Sequence, residues 1–170
     1  VVIGGIEASL RRVTHYDYWQ DCLKPSILVE SGADWLCYGM GERTMIEFTK
    51  AIESGRNVND IRKIPQLGFY MDGRCKLKDA VILNSYERCT KDKVAFAENF
   101  HVVETYANML TPPVLVEPVG NGYVQINPTW PPATQAEMVS FWDLPFTKLP
   151  HPRYKGKHIP AFEMIKFSVN

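Results

Sequence analysis

The chain has 170 residues, 19 basic against 19 acidic side chains, and a hydrophobic content of 45%. That is enough chain for one ordinary hydrophobic core, and its composition is too apolar for disorder and too interrupted for membrane spans. A formal charge of +0 removes the electrostatic footprint of a general nucleic-acid binder, so neither nucleic acid nor membrane is an expected partner.

Val1 to Ile3 is a continuous apolar run meeting Gly4-Gly5, the pattern of a buried parallel strand turning towards a helix from Glu7 to Arg12. The cluster His15-Tyr16-Asp17-Tyr18-Trp19 follows no simple period and reads as irregular and partly exposed. Asp34 to Tyr38 is a second buried strand, ended by Gly39-Met40-Gly41 and followed by a helix from Glu42 to about Glu53 with Met45, Ile46, Thr49 and Ile52 as its inward stripe. Two strand, glycine turn, helix units in succession predict an open, mostly parallel Rossmann-like sheet, with the two strands interior neighbours.

From Ile64 the texture changes. Leu67 to Met71, Asp72-Gly73 and Arg74 to Leu77 have the turn chemistry of a tight hairpin, and Ala80 to Leu83 adds a short strand. Ser85 to Met109 reads as mostly helical, with Phe96, Ala97, Phe100, Val103 and Ala107 on one face. Val114 to Val119 and Tyr123 to Ile126 flank Gly120-Asn121-Gly122 as a second hairpin, and Pro118 assigns its first strand to an edge or a bulge. Thr134-Gln135-Ala136-Glu137 is a capping box that opens a helix through Trp142.

The remainder, proline-rich and basic-aromatic, reads as a connector. The expected organisation is therefore a Rossmann-like part over residues 1–60, a mixed α/β insertion over 61–127, and a connector over 128–170. Both termini lie inside apolar runs and read as cut from a larger intracellular, cytoplasmic protein, with no basic-then-apolar signal at the start.

Several blocks carry a family signature in order: Val2-Ile3-Gly4-Gly5-Ile6-Glu7-Ala8-Ser9-Leu10-Arg11-Arg12, His15 to Trp19, Tyr38-Gly39-Met40-Gly41-Glu42-Arg43, and His151-Pro152 through Ile159 to Asn170. They resemble the YgiQ-type family of radical S-adenosylmethionine (SAM) proteins from end to end. The resemblance implies an accessory region preceding a catalytic barrel. It also implies that the three-cysteine loop binding a [4Fe-4S] cluster begins a few residues beyond the position of Asn170. The partner so implied is that barrel, and the implied cofactors of the parent are the cluster and SAM. Such a cluster needs three closely spaced thiolates and one iron left open for SAM. Cys22, Cys37, Cys75 and Cys89 are scattered, so no cofactor, metal or catalytic residue is expected in this chain itself.

The turns Gly4-Gly5 and Gly39-Met40-Gly41-Glu42 sit where an open α/β sheet presents its ligand crevice. They also resemble the turns lining cobalamin in other radical SAM proteins, although no D-x-H-x-x-G motif accompanies them. Cobalamin or nucleotide binding at Gly4, Gly5, Gly39, Gly41 and Glu42 is one reading; tight backbone turns in a ligand-free interaction domain is the other. Glu7, Arg11, Arg12, His15, Asp17 and Arg43 are either a barrel-facing site, the arginines pairing carboxylate or phosphate, or interdomain ion pairs. Finally, Leu149 to Asn170, with Ile159, Phe162, Ile165, Phe167 and Val169, reads as ending in the first strand of the absent barrel. That segment is expected to be mobile or to support a homodimer.

Overall fold

The computed structural model describes residues 1–145, 147 and 149–167. β1 (Val2–Gly4) passes through Gly5 into α1 (Ile6–Leu10), after which β2 (His15–Asp17) and β3 (Cys22–Lys24) pair antiparallel. α2 (Ile27–Ser31), β4 (Trp35–Cys37), α3 (Glu42–Glu53) and α4 (Val58–Ile61) follow, then β5 (Leu67–Asp72) and β6 (Val81–Ile82). α5 (Tyr86–Cys89), α6 (Lys93–Ala107), β7 (Leu115–Val119), β8 (Gly122–Ile126), α7 (Gln135–Trp142) and α8 (Pro160–Ile165) complete the order. The chain divides into two compact units, Val1–Ala133 and Thr134–Asn170.

The first unit is built on an open six-stranded sheet in the order β1-β4-β5-β8-β7-β6, an α/β architecture as expected. Among the described residues, β1–β4 and β6–β7 pair parallel, and β4–β5, β5–β8 and β7–β8 pair antiparallel. Strands from residues 1–60 and from 61–127 thus share one sheet. α1, α2 and α6 cover one face through Ala8, Leu28 and Val103, which pack with Leu36, Val124 and Ile126. α3 and α4 cover the other through Phe48, Ala51 and Ile61, which pack with Cys37 and Leu67.

The strands Val2–Gly4 and Trp35–Cys37 are parallel neighbours, as the two apolar runs predict. Only β4 is interior, however. β1 forms the sheet's edge and leaves Val2 exposed, which an apolar run of three residues cannot reveal. The cluster expected to be irregular is instead the hairpin β2–β3, because Asp17 accepts the amides of Trp19 and Gln20 and closes the turn itself.

A second correction concerns Arg74 to Leu77, which form no strand. β5 pairs with β8 along its length, from Gly68↔Ile126 to Asp72↔Gly122, and the Gly73 amide donates to Asn121 O. The charged stretch Arg74 to Asp79 has too little apolar surface to compete with Tyr123, Val124 and Ile126. The hairpin β7–β8 forms as expected, and so does the short strand at Val81–Ile82. Pro118 lies on β7 beyond the last residue paired to β6, so its missing N–H removes no ladder bond.

The inward stripes of two helices differ from expectation. α3 buries Thr44, Phe48 and Ala51 and exposes Met45, Ile46 and Ile52. α6 buries Ala95, Asn99 and Val103 and exposes Phe100, with Asn99 admitted to the interior because it exchanges hydrogen bonds with the Asn84 backbone.

In the second unit the capping box is made: the Thr134 hydroxyl accepts from the Glu137 amide, and the Glu137 carboxylate accepts from the Thr134 amide. Ahead of the alternation Phe167-Ser168-Val169 read as the barrel strand, Pro160–Ile165 is helical, with proline at the first position, where its missing N–H costs nothing. Ser168, Val169 and Asn170 lie outside the described residues.

Candidate functional site

The two glycine turns meet at the carboxyl ends of β1 and β4. Gly4 runs so close to β4 that an added Cβ would stand 2.9 Å from Cys37 O. Gly39 has φ 67°, a conformation that favours glycine, and a Cβ there would stand 2.8 Å from Gln66 Nε2 and displace that amide from Tyr38 O. Gly41 is the N-cap residue of α3, whose first turn carries the exposed Glu42. One residue not singled out from sequence ties the turns together: Ser9 Oγ donates to Gly5 O at 2.7 Å and accepts the Gly39 amide at 3.0 Å.

Behind this pair lies Arg12, whose guanidinium sits 5.4 Å from the Tyr38 ring centroid and donates to Ser9 O. Burial lowers the Arg12 pKa from its ordinary value. No carboxylate stands within ion-pair distance of it among the described residues. Tyr38 follows β4 and donates its hydroxyl to Asn127 O at 2.5 Å, linking the ends of β4 and β8; burial pushes its phenol up to about 12. Gln66 completes the brace, exchanging backbone and side-chain bonds with Tyr38.

The remaining sequence candidates disperse around this centre. Glu7 and Arg11 form an ion pair at 3.1 Å one helical turn apart. Arg43 stacks on Trp130 at 4.2 Å from the ring centroid, on the face of the sheet covered by α3. Asp17 serves its hairpin turn, and those amides, Gln20 foremost, hold its carboxyl below the usual range. His15 is buried, with Nδ1 3.3 Å from Val13 O and Nε2 without a partner among the described residues; burial lowers its pKa.

Sequence reading missed Glu117. It lies within β7 at 1% exposure, and its Oε2 accepts the Thr14 amide at 2.8 Å. Burial pushes the carboxyl up to about 7, offset in part by the bonds from Thr14. The signal was present: with period 2, Leu115, Glu117 and Val119 share the inward face of β7.

The cysteines do not fit an iron–sulfur cluster. Cys22 lies in β3, Cys37 in β4, Cys75 in the loop after β5 and Cys89 in α5, and among the described residues no three His, Cys, Asp or Glu side chains could hold a metal. Burial raises the Cys37 thiol and pushes Cys89 up to about 11, away from the thiolate form that iron requires. Nor, among the described residues, is any helix long and apolar enough to cross a membrane.

Comparison with known proteins places this architecture. The family model described as radical SAM N-terminal matches residues 1–168. A protein of Porphyromonas gingivalis named UPF0313 protein is 44% identical over 173 residues, covering 100% of this chain and 27% of its own length. UPF0313 proteins of Bacteroides thetaiotaomicron and Methanocella arvoryzae are 43% and 37% identical, over 100% and 99% of this chain and 30% and 28% of theirs. The chain thus spans less than a third of the length of these relatives. No solved structure matches it. A match running through both glycine turns and the Arg12 segment shows that the chain belongs to the radical SAM N-terminal family.

Proposed function

We propose that this chain is the accessory domain of a radical SAM enzyme, not catalytic by itself, whose [4Fe-4S] cluster and SAM are held by a barrel elsewhere in a longer polypeptide. The family implies the cluster, and the dispersed cysteines described above supply no metal-holding set of three among the described residues.

The observation that carries the accessory role is an apolar rim around the glycine turns. Ile6 is 83% exposed and Met40 56% exposed, on turns that Ser9 holds side by side. Exposed apolar side chains on two turns held together by one hydroxyl mark a contact surface. The barrel is the occupant this reading assigns to that surface, so the turns close over the barrel mouth and their role is to shape and dry it.

The test uses the full-length polypeptide with Ile6→Asp and Met40→Asp together. The expected result is an intact cluster spectrum with loss of SAM cleavage and faster proteolysis between domain and barrel. Unchanged cleavage and unchanged proteolysis would overturn the docking role.

A further inference from the structure

We propose that the cavity between the segment Arg12–Tyr16 and α6 binds a small apolar α-amino acid, its carboxylate on Arg12 and its ammonium on Glu104. The cavity has a volume of about 360 Å³, within the range of small-molecule sites. It is distinct from the apolar rim, and its occupancy does not depend on the docking reading.

The walls supply a side-chain pocket. Leu10, Val13, Phe96, Phe100 and Val103 line it, and two of these, Leu10 and Phe100, are 70% and 62% exposed. An apolar guest would cover them and gain about 25 cal/mol for each Å² removed from water.

Charge decides the class of guest. Arg12, part-buried and without a carboxylate at ion-pair distance among the described residues, offers a planar fork suited to a carboxylate. Glu104 stands on the same cavity from α6, close enough to act on Arg12 through its field, and makes no ion pair among the described residues. One donor pole and one acceptor pole beside apolar walls fit a zwitterion better than a simple anion, which would meet Glu104 with like charge.

Calorimetric titration of the chain with L-phenylalanine, and in parallel with 3-phenylpropionate, tests this. The expected result is one saturable site for L-phenylalanine, with 3-phenylpropionate weaker by about tenfold, the loss of one charge-assisted contact. Arg12→Gln should weaken both ligands about tenfold, whereas Glu104→Gln should remove the preference between them. Because Arg12 also packs on Tyr38, amide shifts of the unmodified chain give a readout independent of any variant: L-phenylalanine should move Val13 to His15 and Asn99 to Glu104. No saturable binding, equal affinity of the two ligands, or shifts confined to another part of the sheet would overturn the proposal.

Discussion

Thr14 and Glu117, 103 positions apart, are joined by a 2.8 Å hydrogen bond from the Thr14 amide to a carboxylate oxygen that is wholly buried. This bond pins the segment between α1 and β2 to the centre of β7. It also inserts a titrating group into the core cluster of Leu115, Val119 and Val124.

The consequence is a pH dependence. Glu117 has a folded pKa raised to about 7, so the stability its protonation supports is complete below the unfolded value, about 4.5, and is lost as pH rises to about 7. The full shift corresponds to something on the order of 3 kcal/mol. Glu117→Gln keeps an acceptor for Thr14 and cannot ionise, so it should melt higher than the native chain at pH 8 and equal to it at pH 4. His15, lowered by burial, works in the opposite direction below its ordinary value, so the comparison is made between the two proteins at each pH. A constant difference across that range would contradict the assignment.

Tyr38→Phe removes the bond to Asn127 O while leaving the ring under Arg12. The expected cost is about 1–2 kcal/mol in denaturant unfolding, because the Asn127 carbonyl loses its donor in a buried setting. A neutral result would mean that water satisfies that carbonyl.

Two glycines of the β7–β8 hairpin should separate conformation from space. At Gly122 an added Cβ would stand 2.3 Å from Met71 O, so Gly122→Ala forces β5 and β8 apart and should abolish or severely weaken folding. Gly120, with φ 57° and open space around it, should cost only about 1 kcal/mol as alanine. Equal losses on thermal melting would show that β5 and β8 are not packed as described.

Phe48→Ala should cost about 3–5 kcal/mol and Ile52→Ala less than about 0.5 kcal/mol, since Phe48 is buried against Trp35 and Ile52 is exposed. The reverse order would restore the stripe expected from sequence.

That stripe shows where sequence reading reaches its limit. Met45, Thr49 and Ile52 have the spacing i, i+4, i+7, and so do Thr44, Phe48 and Ala51, rotated by one residue. Periodicity located the helix but could not choose between two equivalent faces. The choice falls to tertiary fit, where Phe48 meets Trp35 at 5.6 Å and Ala51 is fully buried. Turn chemistry was legible wherever it was local, as at Thr134 with Glu137 and at Gly120-Asn121-Gly122. It failed at Asp72-Gly73, where the partner of β5 lies some fifty residues on, in β8. The glycine turns were legible as turns at the ends of β1 and β4, whereas Ser9 and Glu117 act through partners distant in sequence and had no local signal beyond the inward position of Glu117.

On the proposed reading the longer polypeptide carries a [4Fe-4S] cluster of which this chain holds no part. Iron content and visible absorbance after anaerobic reconstitution, measured on this chain beside the full-length polypeptide, test it most directly. The expected result is a colourless, iron-free chain and a brown full-length protein with about four irons in a cluster. A stable cluster on the chain alone would contradict it.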